Sequence, residues 1–166
     1  MSEKKIRVRN AEPRDVVNII KVLQKGWDEQ TVEYAPVDDL RAYRWILSII
    51  EEGFLAVADL NGRIVGCACV SPYRPPWSQT WFGDVEFLYV LPPFRGEGTV
   101  EALIKACERF ADLHEATLTF GITTGDRPEV KDRMMKMAGW EYTGGNFLRS
   151  HGQQQEDNDI EAGDEA

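Results

Sequence analysis

Apolar and charged residues alternate through Ile6-Arg7-Val8-Arg9, the period of two that marks a half-buried strand. Pro13 follows near a helix start, and Val16, Ile19, Ile20 and Leu23 share one helical face. Gly26 suits the end of that helix, and residues 27–37 read as a loop. Asp38 or Asp39 can cap a second helix. Its apolar face is Leu40, Tyr43, Ile46 or Leu47, and Ile50, and Gly53 stops it. Residues 54–59 and 63–71 read as strands joined by Asn61-Gly62, a two-residue hairpin signal. Pro72, Pro75 and Pro76 cannot sit in a central strand, so a loop follows. Residues 81–90 form a longer strand closed by Leu91-Pro92-Pro93. Beyond Arg95-Gly96-Glu97-Gly98, helical spacing runs through Val100, Leu103, Ile104, Cys107, Phe110 and Ala111. Residues 117–123 read as a strand and 129–138 as a short helix ended by Gly139. Residues 142–149 read as a last strand, broken at Gly144-Gly145.

The order β-α-α-β-β-β-α-β-α-β describes an α/β protein. Short turns make the consecutive strands antiparallel, and the strand–helix–strand unit over residues 81–123 should be parallel with a right-handed crossover. The expected architecture is a mixed, mostly antiparallel central sheet with helices on both faces.

Composition supports one packed domain: 166 residues are 43% hydrophobic and 28% charged. The net charge of −9 argues against nucleic-acid and anionic-membrane partners, which want a basic field. That charge is uneven. Residues 151–166 hold six acids and neither Lys nor Arg, leaving 19 basic against 22 acidic residues, a net −3, over residues 1–150. The expectation is a single domain over residues 1–150 and an acidic, disordered tail over residues 151–166. Three cysteines without paired spacing, and a polar start with no apolar run after it, fit a reducing cytoplasm. Two histidines and no Cys-x-x-Cys give no metal site.

Chemistry concentrates in residues 85–98. A strand ends, prolines stop its pairing, and a glycine-bearing loop opens a helix. Free N–H groups of a first helical turn, with the helix dipole, form an anion site that suits a diphosphate, and Arg95 could add a charged contact. Tight turns look the same in sequence. Leu88-Tyr89-Val90-Leu91-Pro92-Pro93-Phe94-Arg95-Gly96-Glu97-Gly98 resembles the acyl-CoA-binding signature of the GCN5-related N-acetyltransferase (GNAT) superfamily. That signature is a strand ending in an aliphatic residue, then Arg/Gln-x-x-Gly-x-Gly/Ala at a helix start. The element order to about Arg149 matches too, and residues 134–140 resemble the family's closing helix.

The resemblance implies acetyl-CoA as co-substrate and an amine as acceptor. Cofactor contacts would come from Leu88, Tyr89, Val90, Arg95, Gly96, Glu97, Gly98, Thr99 and Val100. Amides around Arg95–Val100 would cradle the diphosphate. The main chain at Leu88 and Val90 would pair with the pantetheine in an opening between the strands at Tyr89 and Leu118. A carboxylate on the feeding strand would serve as base. Asp84 and Glu86 are two apart and share a face, which Leu88 and Val90 continue. Glu86 is favoured over Asp84 as the base, and either could be a plain surface acid. Tyr34, Tyr73 and Trp77, in loops that border the acceptor site in this fold, are pocket candidates, with core-edge packing the alternative.

Two positions depart from the pattern. Val100 replaces the final Gly/Ala; its spacing fits the core face. Met135 stands where many members carry a tyrosine acid, and Asp126-Arg127-Pro128 replaces a common asparagine. Tyr142 or Tyr73 could substitute as acid. The cysteines read as core residues, which disfavours ping-pong transfer. His114 reads as a helix-end residue on the apolar face. The expected function is direct acetyl transfer in a ternary complex to a lysine, a protein N-terminus or a small amine. A catalytically impaired acyl-CoA-binding or protein-binding regulator is the second reading. A homodimer would fit either.

Overall fold

The computed structural model describes residues 5–30, 36–96, 98–122 and 127–144. Among the described residues five strands, β1 (Arg7–Asn10), β2 (Phe54–Leu60), β3 (Arg63–Tyr73), β4 (Phe82–Val90) and β5 (Thr117–Thr119), form one sheet in sequence order. β1 to β4 pair antiparallel and β5 joins β4 in parallel. Four helices accompany them: α1 (Val16–Asp28), α2 (Asp39–Glu52), α3 (Thr99–Leu113) and α4 (Pro128–Met137). The mixed sheet and the order match the sequence expectation through α4. The expected last strand falls largely outside the described residues; its first three, Tyr142 to Gly144, are not in a strand.

The sheet separates two cores. On one face Val16, Ile19, Val22 and Leu23 of α1 and Ile46 and Ile49 of α2 pack on Leu55, Val57, Cys67 and Cys69. On the other, Leu103, Ala106 and Cys107 of α3 pack on Ala56, Ala58, Val65, Ala68, Val70, Val85 and Val90. Asp38, of the two candidate caps, accepts the Arg41 N–H at 2.9 Å. The turn at Asn61 (φ 54°) and Gly62 (φ 88°) has the left-handed pair that a two-residue hairpin needs.

Several expectations give way to packing. Leu40 and Tyr43 are exposed, because α2 covers the sheet with Ile46 and Ile49 instead. Gly26 does not end α1: the helix continues to Asp28, and Gly26 is buried because the Tyr89 ring lies against it. A Cβ there would stand 3.1 Å from Tyr89 Cδ2. Pro72 and Tyr73 extend β3, since β2 stops pairing at Val70 and leaves one side of the strand free for a residue without an N–H. His114 is exposed beside Phe110 rather than on the apolar face.

A charged cluster ties β1 to the start of α1. Asp15, 5% exposed, accepts Arg9 Nη1 at 2.7 Å, Arg9 Nη2 at 3.0 Å and the Glu12 N–H at 2.9 Å. Arg9 Nε donates to Asp59 of β2 at 3.0 Å. The Arg9 hydrogen bonds hold the Asp15 carboxyl below its usual range. Asp15→Ala should therefore cost about 3 kcal/mol, the scale for breaking a buried pair, measured by urea unfolding at neutral pH. A depressed acid stabilises above its unfolded pKa, so the difference between wild type and variant should shrink as pH falls below about 4.

Candidate active site

The sheet forks beside β4. β3 pairs along all of β4, from Tyr73↔Phe82 to Gly66↔Val90. β5 pairs only with Phe82, Gly83 and Asp84, through Thr117, Leu118 and Thr119. Beyond Asp84 no described strand pairs with the second edge of β4, which is open in that sense for about 20 Å, six residues at ~3.3 Å each, with Val85 and Val90 in it buried. The opening thus starts at Asp84 and Thr119, one rung later than the expected Leu118, which is still paired. Phe120 to Ile122, expected in the strand, leave the sheet here.

A bulge sets what this edge offers. Cys69 faces Phe87 and Ser71 faces Asp84, so Val85 and Glu86 together oppose the single residue Val70. Before the bulge the odd-numbered residues turn their main chain towards β5, as the Trp81 carbonyl shows by accepting the Thr117 N–H at 3.0 Å. After it, Leu91 N–H reaches Val65 of β3 at 2.8 Å. Alternation then aims Phe87 and Tyr89 at β3 and leaves Leu88 and Val90 facing the open edge.

The bulge also corrects the side-chain reading. Asp84 opposes Ser71, on the face that Cys69 turns to α1 and α2, whereas Leu88 and Val90 pack against the α3-side core. They do not continue the face of the two carboxylates, because the extra residue reverses the alternation. Thr119 Oγ1 donates to Asp84 Oδ1 at 2.8 Å, at the point of the fork. Glu86 is exposed on the bulge, and no described residue hydrogen-bonds or ion-pairs with it. The two acids therefore differ: Asp84 is held by Thr119, whereas Glu86 has no bonded partner among the described residues.

At the far end of the open edge, a 3-10 turn over Pro92–Phe94 leads to Gly96 (φ 88°) and Gly98 (φ 75°). Gly98 begins α3 in the left-handed region without a side-chain cap. The first helical bond runs from the Ala102 N–H to the Gly98 carbonyl at 3.0 Å, so Thr99, Val100 and Glu101 have no intrahelical acceptor for their N–H groups. The Thr99 side-chain oxygen is buried with no hydrogen-bond partner. An uncapped helix end with an orphaned hydroxyl fits an anion such as a diphosphate. Val100 packs against the α3-side core, as its spacing implied. Glu97 lies outside the described residues.

Arg95 is engaged elsewhere. Its Nε donates to the Val90 carbonyl at 2.7 Å and its Nη2 to Glu29 Oε2 at 2.6 Å, and its guanidinium lies 5.1 Å from the centre of the Tyr89 ring. Tyr89 Oη donates to Glu29 Oε1 at 2.7 Å. Burial opposes ionisation of Glu29, but the hydrogen bonds from Arg95 and Tyr89 outweigh it and hold the carboxyl below its usual range. Burial, then Glu29, push the Tyr89 hydroxyl up. Sequence reasoning missed both Glu29 and Thr119. One signal for Glu29 existed: an acid just past a helix C-terminus opposes the dipole and calls for a compensating cation.

The family model described as Acetyltransferase (GNAT) family matches residues 20–130, well over half of the chain. The chain belongs to the GNAT acetyltransferase family. An uncharacterised N-acetyltransferase of Archaeoglobus fulgidus is 28% identical over 109 residues, 64% of this chain and 74% of the relative. Solved structures share the fold. A protein of Clostridium acetobutylicum described as a predicted acetyltransferase, crystallised with acetyl-CoA, superposes with a TM-score of 0.73 at 16% identity, covering 88% of this chain and 96% of the other. The aminoglycoside N-acetyltransferase AAC(6')-Iy, in complex with CoA, gives 0.69 at 18% identity, covering 89% and 95%.

The departures from the family pattern have defined places. Met135 is 7% exposed and lines a cavity of about 500 Å³ together with Phe120, Trp140 and Tyr142. Tyr142 is exposed, with the Lys136 ammonium 5.1 Å from its ring centre. Of the two substitute tyrosines, it is the one that shares Met135's cavity. Tyr73 does not line that cavity; it pairs with Phe82 at the start of β4, 5.7 Å away between ring centres. Trp77 is 86% exposed on the loop between β3 and β4, and Arg74 stacks 4.3 Å from the Trp81 ring centre. Tyr73 stands beside the paired end of β4, where its partner Phe82 is two residues before Asp84, and Trp81 immediately precedes that strand. Tyr34 and residues 151–166 lie outside the described residues.

All three cysteines are buried, and burial pushes each thiol up, Cys107 to about 12. No group of three or more metal-ligating side chains forms among the described residues. No described helix is long and apolar enough to cross a membrane.

Proposed function

We propose that the chain transfers an acetyl group from acetyl-CoA directly to an amine in a ternary complex. The observation that carries this reading is the open edge of β4 running from an uncapped helix end to a fork that holds two carboxylates. Acetyl-CoA supplies the activated thioester. Its diphosphate fits the N–H groups of Thr99 to Glu101 and the Thr99 hydroxyl, which has no other partner. Its amide arm fits the open main chain of Leu88 and Val90 as an added strand. A donor N–H of that edge then stands near the thioester carbonyl, where it stabilises developing negative charge.

The acceptor amine must lose a proton, and Glu86 is the carboxylate free to take it. Asp84, tied to Thr119, positions the fork and is the second candidate. The acceptor enters from the side of Tyr73 and Trp77, whose exposed rings suit a cationic amine, while the Trp81 ring already carries the Arg74 guanidinium. Tyr142 replaces the missing acid at Met135. Direct transfer is favoured over a cysteine relay because all three thiols are buried and far from ionising.

The test is a thermal shift with acetyl-CoA followed by thiol release against a panel of peptides, polyamines and amino sugars. Stabilisation and thiol release with at least one amine are expected. Stabilisation without release by any amine would favour an acyl-CoA-binding regulator, and no shift would end both readings. Thr99→Val sharpens the result. It removes a hydroxyl that satisfies nothing in the free protein, so the unliganded melting temperature should hold or rise. Affinity for acetyl-CoA should fall about tenfold, one charged hydrogen bond's worth. Equal affinity would place the anion elsewhere.

A further inference from the structure

Arg95 and Glu29 are 66 positions apart, and nothing in the proposed reaction yet uses the contact between them. Arg95 is the first residue of the glycine loop, where charge alone would assign it to a diphosphate. Its donors are committed otherwise, to the Val90 carbonyl and to Glu29, while its plane rests over Tyr89. Glu29 is fixed in turn by the Tyr89 hydroxyl. Tyr89 is seated by Gly26, whose missing Cβ admits the ring. The guanidinium is thus gripped from α1 and from β4 together.

We propose that Glu29 is a positioning residue that holds Arg95 across the open edge of β4. There Arg95 serves as an end stop for the cofactor's amide arm and not as a ligand of its diphosphate. This rests on the reading of the β4 edge given above. Leu88 and Val90 each turn an N–H and a carbonyl to that edge. Arg95 Nε occupies the Val90 carbonyl, so an added strand finds the Val90 N–H and both groups of Leu88, and no acceptor beyond. One register remains for the arm, and register fixes how far the thioester reaches towards Glu86.

The experiment compares two ligands by NMR titration: acetyl-CoA and S-acetylpantetheine, which carries the same amide arm without the diphosphate. The end stop predicts that Arg95→Ala and Glu29→Ala each weaken both ligands by the same factor, about 3- to 5-fold, the scale of a partly exposed ion pair. The double variant should bind no more weakly than Arg95→Ala alone, since the two act as one unit. Glu29→Gln, which keeps the shape and loses the charge, should fall between. Both side chains are about 40% exposed, so the variants should fold, and their spectra report it. Weakening of acetyl-CoA alone by Arg95→Ala would make Arg95 a diphosphate ligand and overturn the proposal. Unchanged affinity of both ligands in Glu29→Ala would overturn it too. If wild type binds neither ligand, the reading of the edge itself fails.

Discussion

Glu86→Gln should lower kcat for acetyl transfer by about 100-fold or more, the usual contribution of a positioned general base, with little change in the KM for acetyl-CoA. The amide keeps the size of the carboxylate and loses its basicity. Glu86 stands on the bulge of β4, exposed and without a bonded partner among the described residues, so its substitution should leave stability within about 0.5 kcal/mol. Asp84→Asn should act differently. The Thr119 hydroxyl can still donate to the amide oxygen, so the fork persists and the rate loss should be smaller. Initial rates for both variants, with the best acceptor from the amine panel, decide between the acids. A larger loss in Asp84→Asn would exchange their roles. Rates near wild type in both would remove general-base catalysis by this strand.

Leu88→Pro should abolish measurable acetyl-CoA binding, a loss of at least tenfold, while the sheet still forms. Proline deletes one N–H and fills the space beside it. At Leu88 that N–H faces the open edge and carries no β3–β4 bond, so the ladder through Phe87 and Tyr89 stays complete. A half-buried side chain is shortened, which should cost about 1–2 kcal/mol. Titration calorimetry reads the first effect and urea unfolding the second. Tyr89→Pro is the matched control. There the lost N–H belongs to the ladder with Cys67, and the fold should suffer first. Intact binding in a folded Leu88→Pro variant would mean the amide arm does not pair with β4.

The sequence was legible wherever local periodicity decides structure. Helical spacing over Val100 to Ala111 and strand propensity over residues 81–90 located α3 and β4 to within a residue or two. The glycine loop identified the helix end that fits an anion. Legibility failed where distant parts of the chain set the outcome. Counting by twos placed Leu88 and Val90 on the face of Asp84, because an inserted residue opposite Val70 leaves no trace in the pattern of β4 itself. Leu40 and Tyr43 lay on an apolar helical face, yet α2 sits on the sheet through Ile46 and Ile49. Gly26 looked like a stop because the ring that needs its missing Cβ is 63 positions away. Arg95 suggested an anion contact from its charge and its motif. Only the fold brings Glu29 and the Val90 carbonyl to it.

The central claim is that acetyl-CoA lies along the open edge of β4 with its diphosphate at the start of α3. Amide hydrogen exchange resolved by NMR tests it most directly, with and without saturating acetyl-CoA. New protection is expected at Leu88 and Val90 and at Thr99 and Val100, with Phe87 and Tyr89, already bonded to β3, changing little. Protection that appears instead around the cavity of Met135 and Tyr142, with Leu88 and Val90 exchanging as in the free protein, would contradict it.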